Sequence, residues 1–136
     1  MPLIDFDILD DGKFHRLCNE LVADEYSTAK CIEGTGGDRG IDCHIGDLTD
    51  ESLTIFQHKF MPQTLGSSRK KQIEKSLTTV LGHFPNTKKW ILLIPKDFTI
   101  GETEWFDKLK KSYTTVELEV WNDTKLRDLL RKNAKE

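Results

Sequence analysis

The stretch that decides the fold is residues 33–60, EGTGGDRGIDCHIGDLTDESLTIFQHKF. After a glycine-rich turn it predicts a short strand over Ile41–Ile45, then a polar turn, then a second strand over Leu53–Phe60. Because side chains alternate along a strand, Gln57 and Lys59 are expected on the same face. Apolar neighbours on both faces predict that the second strand is buried on both sides.

Three polar side chains in this stretch need partners, because burying an uncompensated polar group is costly. Asp42 lies at the start of the first strand, and Gln57 and Lys59 lie near the end of the second. A metal ion together with a phosphate group would satisfy all three. The residues therefore favour a site for metal-assisted phosphate chemistry.

The pattern Gly40-Ile41-Asp42, a hairpin turn and Gln57-His58-Lys59 resembles the PD-(D/E)XK nuclease superfamily. It is most similar to the Mrr-type restriction branch, in which glutamine replaces the second acidic residue to give Q-x-K. The resemblance covers about residues 14–130, from a Phe-x-x-Leu-Cys helix to a Trp-x-x-x-x-Leu ending. Domains of this kind are often N-terminal nuclease modules of larger bacterial defence proteins, including those with STAND-type NTPase domains.

The resemblance implies Mg²⁺-dependent cleavage of DNA phosphodiester bonds, with Mn²⁺ able to substitute. Asp42 and the side-chain carbonyl of Gln57 are the implied metal ligands, and the backbone carbonyl of His58 adds a third. Lys59 would orient the attacking water and stabilise the charge that develops in the transition state. Because Gln57 replaces a carboxylate, weaker metal binding than in an acidic site is expected.

Two residues of the first helix are candidate accessory groups. The resembling family often has a glutamate directly after the helix's phenylalanine, where this chain has His15. His15 flanks the apolar face and would reach the site, with an ordinary boundary histidine as the alternative. Glu20 is the nearest helical glutamate before the last turn, but its helical spacing favours a solvated surface acid.

A basic block follows the candidate site. Residues 58–90 hold seven basic side chains and one acidic one, although the whole chain has a net charge of −3. Such a block would meet a DNA phosphate backbone. The alternative is a solvated helix face, which charge alone favours. The candidate DNA contacts are Arg39, Arg69, Lys70, Lys71 and Lys75.

Length and composition predict one domain over residues 1–136, and the resemblance implies that this domain is the N-terminal module of a larger protein. The chain is 37% hydrophobic and 32% charged, which is typical of a globular protein. It has no apolar run near the ~20 residues that span a membrane, and no signal-like start. We therefore expect a cytoplasmic protein that does not contact membranes.

The cysteines Cys18, Cys31 and Cys43 are an odd number at scattered positions, which predicts reduced thiols rather than a disulfide framework. Zinc binding by cysteines and histidines is disfavoured, because the spacing matches no usual zinc finger and Cys43 and His44 face opposite ways in a strand.

Hydrophobic periodicity predicts the order α-β-β-β-α-β-α-β-α, an α/β fold with a mixed sheet flanked by helices. The order matches the restriction-endonuclease-like core of the resembling superfamily. The expected function is a double-stranded DNA endonuclease that acts as the effector of a bacterial antiphage or restriction system and is activated by oligomerisation or by attached domains. The alternatives are a catalytically degenerate domain that only binds nucleic acid, and an assembly module.

Overall fold

The computed structural model describes residues 9–32, 41–49 and 52–133. The elements follow the predicted order, and the prediction of an α/β fold with a mixed sheet flanked by helices is confirmed. They are α1 Asp11–Glu25, β1 Lys30–Cys31, β2 Cys43–Ile45, β3 Leu53–His58, α2 Ser67–His83, β4 Thr87–Leu93, α3 Ile100–Ser112, β5 Glu117–Trp121 and α4 Asp123–Asn133.

The five strands form one sheet in the order β1-β2-β3-β4-β5. The pairs β1–β2 and β2–β3 are antiparallel, whereas β3–β4 and β4–β5 are parallel. Parallel neighbours need a crossover, and α2 and α3 supply the two crossovers. The carboxyl ends of β3, β4 and β5 therefore meet at one edge of the sheet, which we call the carboxyl edge.

Strand β3 separates two apolar clusters, and the prediction that it is buried on both sides is confirmed. Leu53 and Ile55 belong to the cluster that contains the buried face of α2. Phe56 belongs to the other cluster, together with residues of α1 and α4 such as Phe14 and Leu126. Alternation along the strand produces this division, since successive side chains point to opposite faces.

The helix starts differ in how they are capped. The Asp10 side chain accepts a hydrogen bond at the start of α1, and Thr99 forms a capping box with Glu102 at the start of α3. Helix α2 begins after Gly66 without a side-chain cap, in a segment that the structure describes completely. The two serines that follow Gly66 lie inside the helix rather than at its cap.

Strand boundaries also differ from the predictions. Strand β3 ends at His58 rather than at Phe60, so Lys59 lies just beyond it, with its N–H donating to the carbonyl of Leu93 at 2.9 Å. The turn after β2 contains Gly46 at φ 94°, a backbone angle that favours glycine. The glycine-rich turn and Arg39 lie outside the described residues.

Two of the cysteines form a disulfide, which contradicts the expectation of three reduced thiols. Cys31 and Cys43 lie directly opposite each other in the β1–β2 register, with sulfurs 2.18 Å apart. Cys18 is a free, buried thiol. The register of a sheet brings the pair together, and the spacing in the sequence carries no such information.

Within the described ranges, none of the helices combines the length and the apolar character required to cross a membrane.

Candidate metal centre

Asp42 is fixed between β1 and β3 just before β2 begins. Its carbonyl accepts from the N–H of Ile32 at 2.8 Å, and its own N–H donates to the carbonyl of Phe56 at 3.1 Å. The carboxylate atom Oδ2 accepts from the N–H of His58 at 2.6 Å. These bonds hold the buried carboxylate at the carboxyl edge. The other carboxylate oxygen, Oδ1, takes part in none of them.

His15 and His58 approach this carboxylate from α1 and from the end of β3. Nε2 of His15 lies 3.3 Å from Oδ1 of Asp42. The two imidazole rings meet edge to face, with centroids 4.9 Å apart. Among the described residues, neither Nε2 of His15 nor Nδ1 of His58 has a hydrogen-bond partner, although both atoms are buried.

One ligand atom each from His15, Asp42 and His58 lies within 4.8 Å of the other two. We call these three residues the His-Asp-His cluster. All three residues are site candidates in the sequence, with His15 expected as an accessory group and His58 expected to contribute its backbone carbonyl to the metal. The sequence raises the His58 side chain as a ligand only for a zinc site shared with the cysteines, which the spacing disfavours.

Burial is the main cause of the pKa shifts of Asp42 and His58. Burial raises the pKa of Asp42, against the opposing effects of the His58 N–H and of the charges of His15 and Lys59. Burial, reinforced by His15, lowers the pKa of His58 to about 3. The His58 ring is therefore neutral near pH 7, with a nitrogen lone pair available to bind an ion.

Lys59 lies next to the cluster in sequence and interacts with it electrostatically. Its side chain is partly buried, and burial lowers its pKa, while the negative charges of Asp42 and Asp11 raise it. Lys59 and Asp42 therefore influence each other's pKa, the ammonium charge lowering that of Asp42 and the carboxylate charge raising that of Lys59.

Gln57 is buried and has a structural partner. Its Oε1 accepts a hydrogen bond from Nε1 of Trp90 at 3.0 Å, and Trp90 belongs to the same apolar cluster as α2. One lone pair of the amide oxygen remains for an ion. The assignment of Gln57 as a metal ligand stays a prediction, with its orientation set by Trp90.

The other predicted residues lie at varied positions. Glu20 is exposed on α1 and lies outside the His-Asp-His cluster. The basic residues of α2 lie in its first turns, where Arg69 and Lys70 are half-buried and Lys71 and Lys75 are exposed. Because α2 follows β3, its amino end lies towards the carboxyl edge, the same edge that holds Asp42.

No protein-family model matches the chain, and a search of curated proteins found no match to it either.

Proposed function

We propose that this chain is a metal-dependent endodeoxyribonuclease domain with a restriction-endonuclease-like fold. The observation that carries the proposal is the His-Asp-His cluster at the carboxyl edge of the sheet, where the charge of Lys59 also lowers the pKa of Asp42. In open α/β sheets with parallel strands, ligands bind at this edge. A role as the effector of a bacterial restriction or antiphage system rests on the sequence resemblance alone.

The residues present suit hydrolysis of a phosphodiester bond. A bound divalent ion would neutralise the phosphate and lower the pKa of a water molecule. Asp42 would hold that ion through Oδ1, since Oδ2 already accepts from the His58 backbone. Lys59 would contact the scissile phosphate and stabilise negative charge in the transition state, in a setting where partial burial strengthens the interaction.

The amino end of α2 is suited to contact the DNA backbone. Its first turn contains Arg69 and Lys70 and no acidic residue in this fully described helix. Positive charge at a helix amino end opposes the helix dipole and weakens the helix. A phosphate bound at this end would offset the repulsion, because it would accept hydrogen bonds from the uncapped backbone amides and from the basic side chains. This charge placement supports phosphate binding over a solvated face.

We expect the double variant Lys70→Glu/Lys71→Glu to bind duplex DNA more weakly. The slope of log affinity against log salt should fall by about 2, because each lost phosphate contact releases roughly one counterion fewer. Acidic residues at the amino end of α2 favour the helix dipole, so the variant should remain folded. Fluorescence anisotropy with a labelled duplex at several salt concentrations measures the slope.

The matched control is Lys108→Glu/Lys111→Glu, which makes the same charge change at exposed positions of α3. This control should lower affinity much less and keep the salt slope. Equal losses in the two double variants would show that net charge, rather than the amino end of α2, governs DNA binding.

The proposed activity is tested by plasmid cleavage with free and tethered copies of the chain. One site acts on one phosphodiester at a time, so a duplex break requires two sites that face opposite strands. With Mg²⁺ or Mn²⁺ we expect a tethered dimer to linearise supercoiled plasmid and the free chain to be nearly silent at low concentration. Equal specific activity at all concentrations would reject control by assembly, and no cleavage by either form would favour the binding-only alternative.

A further inference from the structure

We infer that His15, Asp42 and His58 bind a divalent transition metal ion that prefers imidazole ligands, such as Zn²⁺, rather than the Mg²⁺ expected from the sequence. The inference rests on the proposed function for the reaction that the ion would serve, whereas binding itself is measured independently. It gives both histidine side chains the role of direct ligands.

The spacing of two ligand atoms fits a single small ion. Zinc binds nitrogen and oxygen at about 2.0–2.1 Å, so two ligands of a tetrahedral ion lie roughly 3.3 Å apart. Nε2 of His15 and Oδ1 of Asp42 are separated by 3.3 Å. The three ligand atoms all lie within 4.8 Å of one another. To reach the spacing of about 3.3 Å, the ligand atom of His58 would move towards the other two by up to about 1.5 Å.

Unpartnered ring nitrogens provide an independent observation. His58 is 8% exposed, and in the described part of the chain its Nδ1 accepts and donates no hydrogen bond. Nε2 of His15 is also buried without such a bond. A buried polar atom without a partner is costly, and an ion that a ring nitrogen of this cluster ligates would remove that cost.

The kind of ligand decides which ion is preferred. Magnesium prefers oxygen ligands and retains several waters, whereas imidazole suits zinc and neighbouring transition metals. Two imidazoles and one carboxylate leave a fourth zinc position for water, as hydrolytic zinc sites require. Cys43 does not compete as a thiolate while it is joined to Cys31, even though its sulfur lies 4.0 Å from Nε2 of His58.

Calorimetric titration of the metal-free, oxidised full chain with ZnCl₂ and with MgCl₂ tests the inference. We expect one Zn²⁺ per chain, bound at least about 100-fold more tightly than Mg²⁺, since the ligands are mainly nitrogen. His15→Gln should weaken Zn²⁺ binding at least about 10-fold. Loss of a residue that only orients a metal ligand already lowers metal affinity by about that factor, and loss of the ligand itself should lower it at least as much. Titration with Co²⁺ should give d–d absorption without a thiolate charge-transfer band.

The matched control is His83→Gln, which removes an exposed histidine at the end of α2 and should leave Zn²⁺ affinity unchanged. Circular dichroism checks that each variant is folded. If His15→Gln does not fold, Asp42→Asn serves instead, because its amide oxygen would still accept from the His58 N–H. It should likewise lower Zn²⁺ affinity at least about 10-fold.

Three results would overturn the inference: unchanged Zn²⁺ affinity in the folded ligand variant, tighter binding of Mg²⁺ than of Zn²⁺, or a thiolate band with Co²⁺. Failure of the proposed function has a different signature. Tight Zn²⁺ binding that depends on His15, without DNA cleavage under any metal, would keep the metal site and reject the nuclease. Mg²⁺-dependent cleavage that is insensitive to His15→Gln would keep the nuclease and reject this site.

Discussion

Lys59→Ala is expected to lower plasmid cleavage by the tethered dimer about 100- to 1000-fold, the usual cost of removing one group that stabilises transition-state charge. The ammonium group shares its surroundings with Asp42, and partial burial makes its charge more effective than it would be in water. The rate of the first strand break under saturating protein, measured from the loss of supercoiled plasmid, reports the effect.

Lys88→Ala is the matched control, since it removes the same charge from an exposed position on β4. Its cleavage rate should stay within about threefold of the wild type, because exposed charges interact weakly. DNA affinity measured in parallel separates binding from chemistry. A Lys59→Ala rate that matches the Lys88→Ala rate would remove Lys59 from the reaction.

Glu102→Ala is expected to have the largest effect on stability, a loss of about 3–5 kcal/mol in the free energy of unfolding. Nζ of Lys96 lies 2.6 Å from both carboxylate oxygens of Glu102, and the two residues are only 8% and 2% exposed. The carboxylate also accepts from the N–H groups of Leu65 and Thr99. Removing this carboxylate leaves the buried ammonium group of Lys96 and the two backbone amides without their hydrogen-bond acceptor.

Urea unfolding with linear extrapolation measures the loss. The control is Asp47→Ala, which breaks an exposed ion pair with Lys30 at 3.0 Å and should cost far less stability, because exposed ion pairs contribute little. The apolar replacement Lys96→Met/Glu102→Leu should recover part of the loss, since no buried charge remains. Similar costs for Glu102→Ala and Asp47→Ala would show that burial does not strengthen the Lys96 pair.

The order of helices and strands was predictable because local patterns determine it. Alternating and continuous apolar runs identified β3 and β4, and the spacing of Ile73, Leu77 and Val80 identified α2. Boundaries were less accurate, as at β3, because the last residues of a strand depend on pairing with neighbouring strands.

The sequence also predicts that Asp42 and Lys59 are neighbours, since both belong to the stretch at residues 33–60 and a hairpin brings its two strands together. It did not identify the partners of Gln57 and His58. Alternation places these two side chains on opposite faces of β3, but it does not say what each face meets. Trp90, 33 positions further on, engages Gln57, and His15 of α1 meets His58.

Tertiary packing alone decided the composition of the candidate metal centre and the pairing of the cysteines. His15 reaches Asp42 because α1 packs against the face of the sheet that holds Phe56, and this contact spans 27 positions of sequence. Cys31 meets Cys43 because the β1–β2 register places them opposite each other. Local sequence encodes periodicity over a few residues, whereas these contacts depend on how distant elements share one core.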